Sequence, residues 1–179
     1  MPLSADRAYG GNHRLYQRRS NTVAERKLDI ENIGRIGQMF LNGDLLEVIM
    51  ADRFTCDEDD TDYNIEAFNA LKKTLMKTER MNPDMHVTGV IWYWYPANKR
   101  MAVPAVAGKT LPMSGWTIAP CDDGLYKCLS DGVNTKINLR DDEITHYFPI
   151  RNSADSVVGA LALAIGGSRD RLAYRHDIW

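Results

Sequence analysis

Little in this chain would brace it covalently, carry it across a membrane or mark it as an enzyme. Its three cysteines, Cys56, Cys121 and Cys128, leave one unpaired in any disulfide scheme. Cys121 and Cys128 flank one short predicted helix and are poorly placed for a bridge, which needs Cα atoms within roughly 7 Å, so buried free thiols are the reading. There is no C-x-x-C and no C-x-x-C-H, which removes structural zinc and covalent haem. The longest apolar run, Val157 to Ile165, has the length of a strand and falls short of the roughly 20 residues of a bilayer span. Met1-Pro2-Leu3-Ser4-Ala5-Asp6-Arg7 contains no hydrophobic signal-peptide core. A net charge of −2 is not the basic footprint of a nucleic-acid binder. G-x-S-x-G, a phosphate-binding glycine loop and H-E-x-x-H are all missing, and His13, His86, His146 and His176 lie far apart. The inventory therefore predicts no catalytic centre, no cofactor and no metal.

What is present suits one globular domain. Hydrophobic residues at 44% are enough for a core in a chain of 179. Residues 1–20 read as a tail, with Tyr9-Gly10-Gly11-Asn12 breaking regularity among Arg14, Arg18 and Arg19. A helix is predicted from Thr22 to Phe40 on the stripe Ile33, Ile36 and Phe40, widened by Ile30 and Leu41. Gly34 and Gly37 each weaken it by about 1 kcal/mol against alanine unless close packing compensates. Asn42-Gly43-Asp44 breaks the chain before a second apolar helical segment, Leu45, Leu46, Val48, Ile49 and Met50.

The acidic stretch Cys56 to Asp62 lacks the glycine and the closing glutamate of a calcium loop. It reads as a solvated loop in which Asp60, Thr61 or Asp62 caps the next helix, Tyr63 to Arg80. That helix should bury Ile65, Phe68, Leu71, Leu75 and Met76 and leave Lys72, Lys73, Lys77 and Glu79 outside.

Beyond Asn82-Pro83 the period changes to two. Strands are predicted at Val87 to Tyr95, Arg100 to Val103, Val133 to Ile137, Ile144 to Ile150 and Val157 to Ile165. Between the second and third lie a loop, Ala107 to Thr117, and a short helix, Gly124 to Ser130, with Asp122 or Asp123 as cap and Gly132 as stop. Residues 167–179 read as a C-terminal tail. Helices first and antiparallel strands after predict an α+β domain over 21–166, with one sheet of five or six strands and both main helices on one face.

The order of these elements resembles the Cache family, the PAS-like sensor domains of bacterial chemoreceptors, histidine kinases and nucleotide cyclases. Three stretches carry the resemblance: the turn Leu41-Asn42-Gly43-Asp44-Leu45-Leu46, the helix-to-strand junction Met81-Asn82-Pro83, and His146-Tyr147-Phe148-Pro149-Ile150-Arg151-Asn152-Ser153 followed by Val157-Val158-Gly159-Ala160-Leu161. It covers residues 23–166. The Arg-x-Trp pair of the amino-acid-binding branch is not reproduced by Arg100-Met101-Ala102 or by Ser114-Gly115-Trp116.

The resemblance implies a ligand on one sheet face, beneath the loop and short helix that follow the first hairpin. Trp92 and Trp94 share one face by alternation, and Tyr93 and Tyr95 the other. Trp92 and Trp94 are the candidate walls, and Arg100, Trp116, Tyr126, His146 and Tyr147 the candidate polar groups. Arg100 suits a carboxylate through its planar fork. In the last strand Val157, Gly159, Leu161, Leu163 and Ile165 form one row, and Val158, Ala160, Ala162 and Ala164 a smaller one that leaves room for a ligand or a loop. The expected function is reversible capture of a small polar metabolite by the extracytoplasmic (periplasmic) portion of a receptor. The expected assembly is a homodimer through the N-terminal helix, with membrane contact only through segments absent from this chain. The alternative is a cytoplasmic GAF- or PAS-like regulatory domain for a nucleotide, a cofactor or a partner protein.

Overall fold

Two glycines decide how the first helix meets the sheet. In the computed structural model, which describes residues 30–55, 64–83, 85–108, 118–140 and 143–165, helix α1 occupies residues 30–40. A Cβ on Gly34 would overlap the Phe148 ring, and one on Gly37 would press on Thr78 and Leu161. The glycines therefore mark the contact face, together with Ile30 and Ile33, which are buried. That rotation turns the other half of the predicted stripe outward. Phe40 was expected inside and is 68% exposed, with Ile36 and Met39 exposed beside it.

Leu41 and Asn42 separate α1 from α2 (Gly43–Thr55), as the Asn-Gly-Asp break predicts. Asn42 accepts a hydrogen bond from the Asp44 amide at 2.8 Å. Gly43 has no room for a side chain because the Arg151 carbonyl and the Asn152 nitrogen lie against it. The Asp44 carboxylate then accepts from the Ser153 amide and hydroxyl, both at 3.0 Å, and Asn152 donates to Glu47 at 3.1 Å. The turn that ends α1 is thus tied to the hairpin that closes the sheet.

Helix α3 (Ile65–Glu79) is capped by Asn64, whose side chain accepts from the Ala67 amide at 3.0 Å. The expected caps Asp60, Thr61 and Asp62 lie outside the described residues. The buried face is Ala67, Leu71, Leu75, Thr78 and Glu79. Centring on these positions leaves Ile65 exposed and Phe68 and Met76 half-buried, a correction to the predicted stripe. Glu79 was placed outside and is buried, where its Oε1 accepts from the Gly89 amide at 2.8 Å.

The strands β1 (Val87–Trp94), β2 (Met101–Ala107), β3 (Ala119–Pro120), β4 (Thr135–Arg140), β5 (Glu143–Arg151) and β6 (Val157–Ile165) form one antiparallel sheet in the order β3-β2-β1-β6-β5-β4. The class is α+β with a six-stranded antiparallel sheet, and helix α4 (Asp123–Asp131) follows β3. β2 continues past Val103 through Pro104, which sequence reading took as the end of the strand. Among the described residues β2 is an edge there, since β3 pairs only with Met101 and Ala102, and the β1 ladder shifts register between Ile91 and Trp92 opposite Pro104. An edge with a bulge tolerates the missing amide. Val133 was expected to open β4 but precedes it and is exposed.

Two cores sandwich the sheet. Helices α1, α2 and α3 cover Ile91, Phe148, Ile150, Leu161 and Leu163, while α4 covers Val90, Trp92, Ala160, Ala162 and Ala164 on the other side. The predicted rows of β6 hold from Gly159 onward. At its start a register shift opposite Ile150 and Arg151 exchanges them, so Val157 packs on the α4 side and Val158 on the three-helix side.

In an open helix interior Gly→Ala stabilises by up to about 1 kcal/mol. At Gly34 the Phe148 ring reverses the sign: Gly34→Ala is expected to destabilise by about 1–3 kcal/mol through overpacking, measured by chemical denaturation.

Candidate functional site

The face beneath α4 is built in three rows across the central strands. Register aligns Trp92, Ala160 and Pro149 in one row, Val90, Ala162 and Tyr147 in the next, and Thr88, Ala164 and Thr145 in the third. β6 contributes only methyl groups, so Leu125, Cys128 and Leu129 of α4 fit into the same core.

Asp122 fixes the helix over this floor. Its Oδ1 accepts from the Leu125 amide at 2.8 Å as the N-cap, and its Oδ2 accepts from the Tyr147 hydroxyl at 2.6 Å. Thr135 donates to the Gly124 carbonyl at 2.7 Å, and Gly132 closes the helix in the left-handed region at φ 65. One carboxylate thus couples the end of α4 to β5.

Of the predicted site residues, Trp92, Trp94, Arg100, Tyr126 and Tyr147 gather on the α4 side. Trp92 and Tyr147 are buried, and Trp94 and Tyr126 half-buried. The Trp94 indole donates to the Lys99 carbonyl at 2.8 Å, and the Lys99 ammonium sits 4.3 Å from its ring centroid. The Arg100 guanidinium lies 4.4 Å from the Tyr126 ring centroid at the exposed end of the hairpin. Its fork is stacked on α4. Trp116 lies outside the described residues. His146 does not join the group: alternation along β5 sends it to the opposite face, where it stacks on Phe148 with centroids 6.5 Å apart.

Sequence reading missed the two polar groups that define the third row. The Thr88 and Thr145 hydroxyls are buried and, among the described residues, have no hydrogen-bond partner. Their signal was available as parity, since Thr88 stands in the row of Trp92 and Trp94, and Thr145 in the row of Tyr147. Thr88 also lines a cleft of about 550 Å³ formed with Glu79, Arg80, Pro83, Met85, His86 and Val87. The floor therefore borders a cleft at its polar end.

The two described cysteines are shielded, unactivated thiols. Burial, with Asp122 adding to it, raises the Cys121 thiol to about 11, and burial raises Cys128 to about 12. Both are free thiols and stay protonated at neutral pH, which disfavours attack and metal ligation. Burial, then the Glu47 charge, likewise raises the Tyr93 hydroxyl. Among the described residues no group of three metal-ligating side chains converges. No protein-family model and no curated protein matches this chain.

The double role of Asp122 is separable by mutation. Tyr147→Phe should cost about 1.5–3 kcal/mol for the charge-assisted bond alone. Asp122→Ala should cost more, because the cap adds about 0.5–2 kcal/mol. Equal losses in urea unfolding would show that the cap contributes nothing.

Proposed function

We propose that this chain is a small-molecule-sensing module of the Cache type, the extracytoplasmic portion of a signal-transduction receptor, which holds a small polar metabolite on the α4 face of its sheet. Three features support the family reading: helices packed on one side of an antiparallel sheet, a short helix covering the other, and a final hairpin whose last strand lies beside the first. Among the described residues no helix is long and apolar enough to cross a membrane, so on this reading attachment belongs to other segments.

The observation that carries the proposal is the Thr88–Ala164–Thr145 row. A buried hydroxyl without a partner costs about 1–3 kcal/mol. Two of them flank one alanine across three central strands, on the face with the smallest side chains. A ligand with hydrogen-bonding atoms over Ala164 satisfies both. Trp92 and Tyr147 supply apolar area beside it, and α4 is the element whose position reports occupancy. A ligand shifts such an equilibrium only by its differential affinity for the two states.

Thr145→Val keeps the shape and removes the hydroxyl. A hit from a thermal-shift screen of metabolites, present at about 100 times its dissociation constant, should add about 2.7 kcal/mol to the wild type. Thr145→Val should be more stable than wild type by about 1 kcal/mol without ligand and bind the hit about tenfold more weakly. Unchanged binding in both Thr145→Val and Thr88→Val would overturn the site.

The exposed half of the α1 stripe supports dimerisation through this helix. Met39 is 81% exposed beside Phe40 and Ile36. Phe40→Asp is expected to convert a dimer to a monomer in analytical ultracentrifugation. A wild type that is monomeric at high micromolar concentration would exclude this assembly.

A further inference from the structure

Among the described residues the sheet face under α1, α2 and α3 keeps an open margin beside β4, and this margin has a chemistry of its own. The contacts of α2 and α3 with the sheet fall chiefly on β1, β2, β5 and β6, and α4 meets β4 from the other side. A cleft of about 260 Å³ remains between α1 and the β4–β5 pair, lined by Glu31 and Arg35 of α1, by Asn134 and Lys136, and by His146 and Phe148 of β5. Gly34 brings α1 into close contact with the Phe148 ring, and the Glu31 and Arg35 edge of the helix forms one wall of the cleft. Lys136 and His146 are direct cross-strand partners and present their side chains to this same side.

The charges of the cleft are not neutralised within it. Glu31 and Arg35 stand four residues apart on one helix face, the spacing at which ion pairs form, yet neither they nor Lys136 make an ion pair among the described residues. A guanidinium, an ammonium and a carboxamide thus border a buried imidazole and ring, with one carboxylate on the rim.

We propose that this cleft is a second binding site, separate from the α4 face, for a small organic monocarboxylate that also carries a hydrogen-bond donor. Arg35 and Lys136 take the carboxylate, the former through its planar fork. The stacked His146 and Phe148 form the floor against the carbon body. Glu31 accepts from the ligand's hydroxyl or ammonium group and repels a second carboxylate. Bound there, the ligand bridges α1 to β4. The site does not depend on the sensor reading of the opposite face.

The test is a ¹H–¹⁵N NMR titration of the full chain with lactate, succinate and inorganic phosphate, against sodium chloride at matched ionic strength. Lactate should give saturable shifts at Arg35, Lys136 and His146 and leave Thr88, Thr145 and Tyr147 unmoved. Succinate should bind at least about fivefold more weakly, and Glu31→Gln should narrow that gap. Arg35→Gln and Lys136→Gln, on separate elements, should each weaken lactate about tenfold, a loss of about 1.4 kcal/mol. The inference is overturned by a chloride response equal to that of lactate, by phosphate binding without lactate binding, or by lactate affinity unchanged in both variants. Lactate shifts confined to the α4 face would also overturn it while supporting the first site.

Discussion

Strand β6 is the constraint on which the rest of this protein depends. It is paired on both edges, to β1 and to β5, and buried on both faces. Leu161 and Leu163 project to one side, and Ala160, Ala162 and Ala164 to the other. Bulk on one face demands a thick layer of helices, which α1, α2 and α3 provide. Methyl groups on the other let a single short helix lie close. The asymmetry of the whole fold follows from this alternation of leucine and alanine.

Tertiary fixation of the helical layer is concentrated at a few contacts in which backbone is part of the surface. Gly34 admits the Phe148 ring, and Gly43 admits the backbone of the β5–β6 hairpin. Around the second contact Asp44 and Glu47 bind Ser153 and Asn152, so residues over a hundred positions apart in sequence are joined by several hydrogen bonds. The hairpin is itself organised by Asn152, whose side-chain Oδ1 accepts from the Ala154 and Ser156 amides at 3.1 and 2.9 Å. A turn with this internal order presents a defined surface to α2.

On the opposite side the polar groups divide into two kinds. Asp122 and Tyr147 satisfy each other and lock the end of α4, whereas the Thr88 and Thr145 hydroxyls in the same layer find no partner among the described residues. Buried polar atoms in native proteins are overwhelmingly satisfied, so a pair of exceptions one alanine apart needs a physical reason. An external hydrogen-bonding molecule supplies one. The same logic, applied to charge instead of hydroxyls, distinguishes the cleft beside α1.

Local signals in the sequence determined much of this. Period-two alternation located β1, β5 and β6, Asn42-Gly43-Asp44 located the helix break, and Asp122 and Gly132 bracketed α4, because strand parity, turn chemistry and capping act between near neighbours. The shared face of Trp92 and Trp94 also followed from sequence parity. Only the tertiary structure decided which way α1 turns, since glycine packing against Phe148 outweighs the apolar stripe that carries Phe40. It alone buried Glu79 and carried β2 through Pro104, whereas strand alternation by itself sets His146 on the face opposite Tyr147. It also aligned Thr88 with Thr145 across β6, because register between strands far apart in sequence is set by long-range pairing and the packing of two cores, for which no local pattern codes.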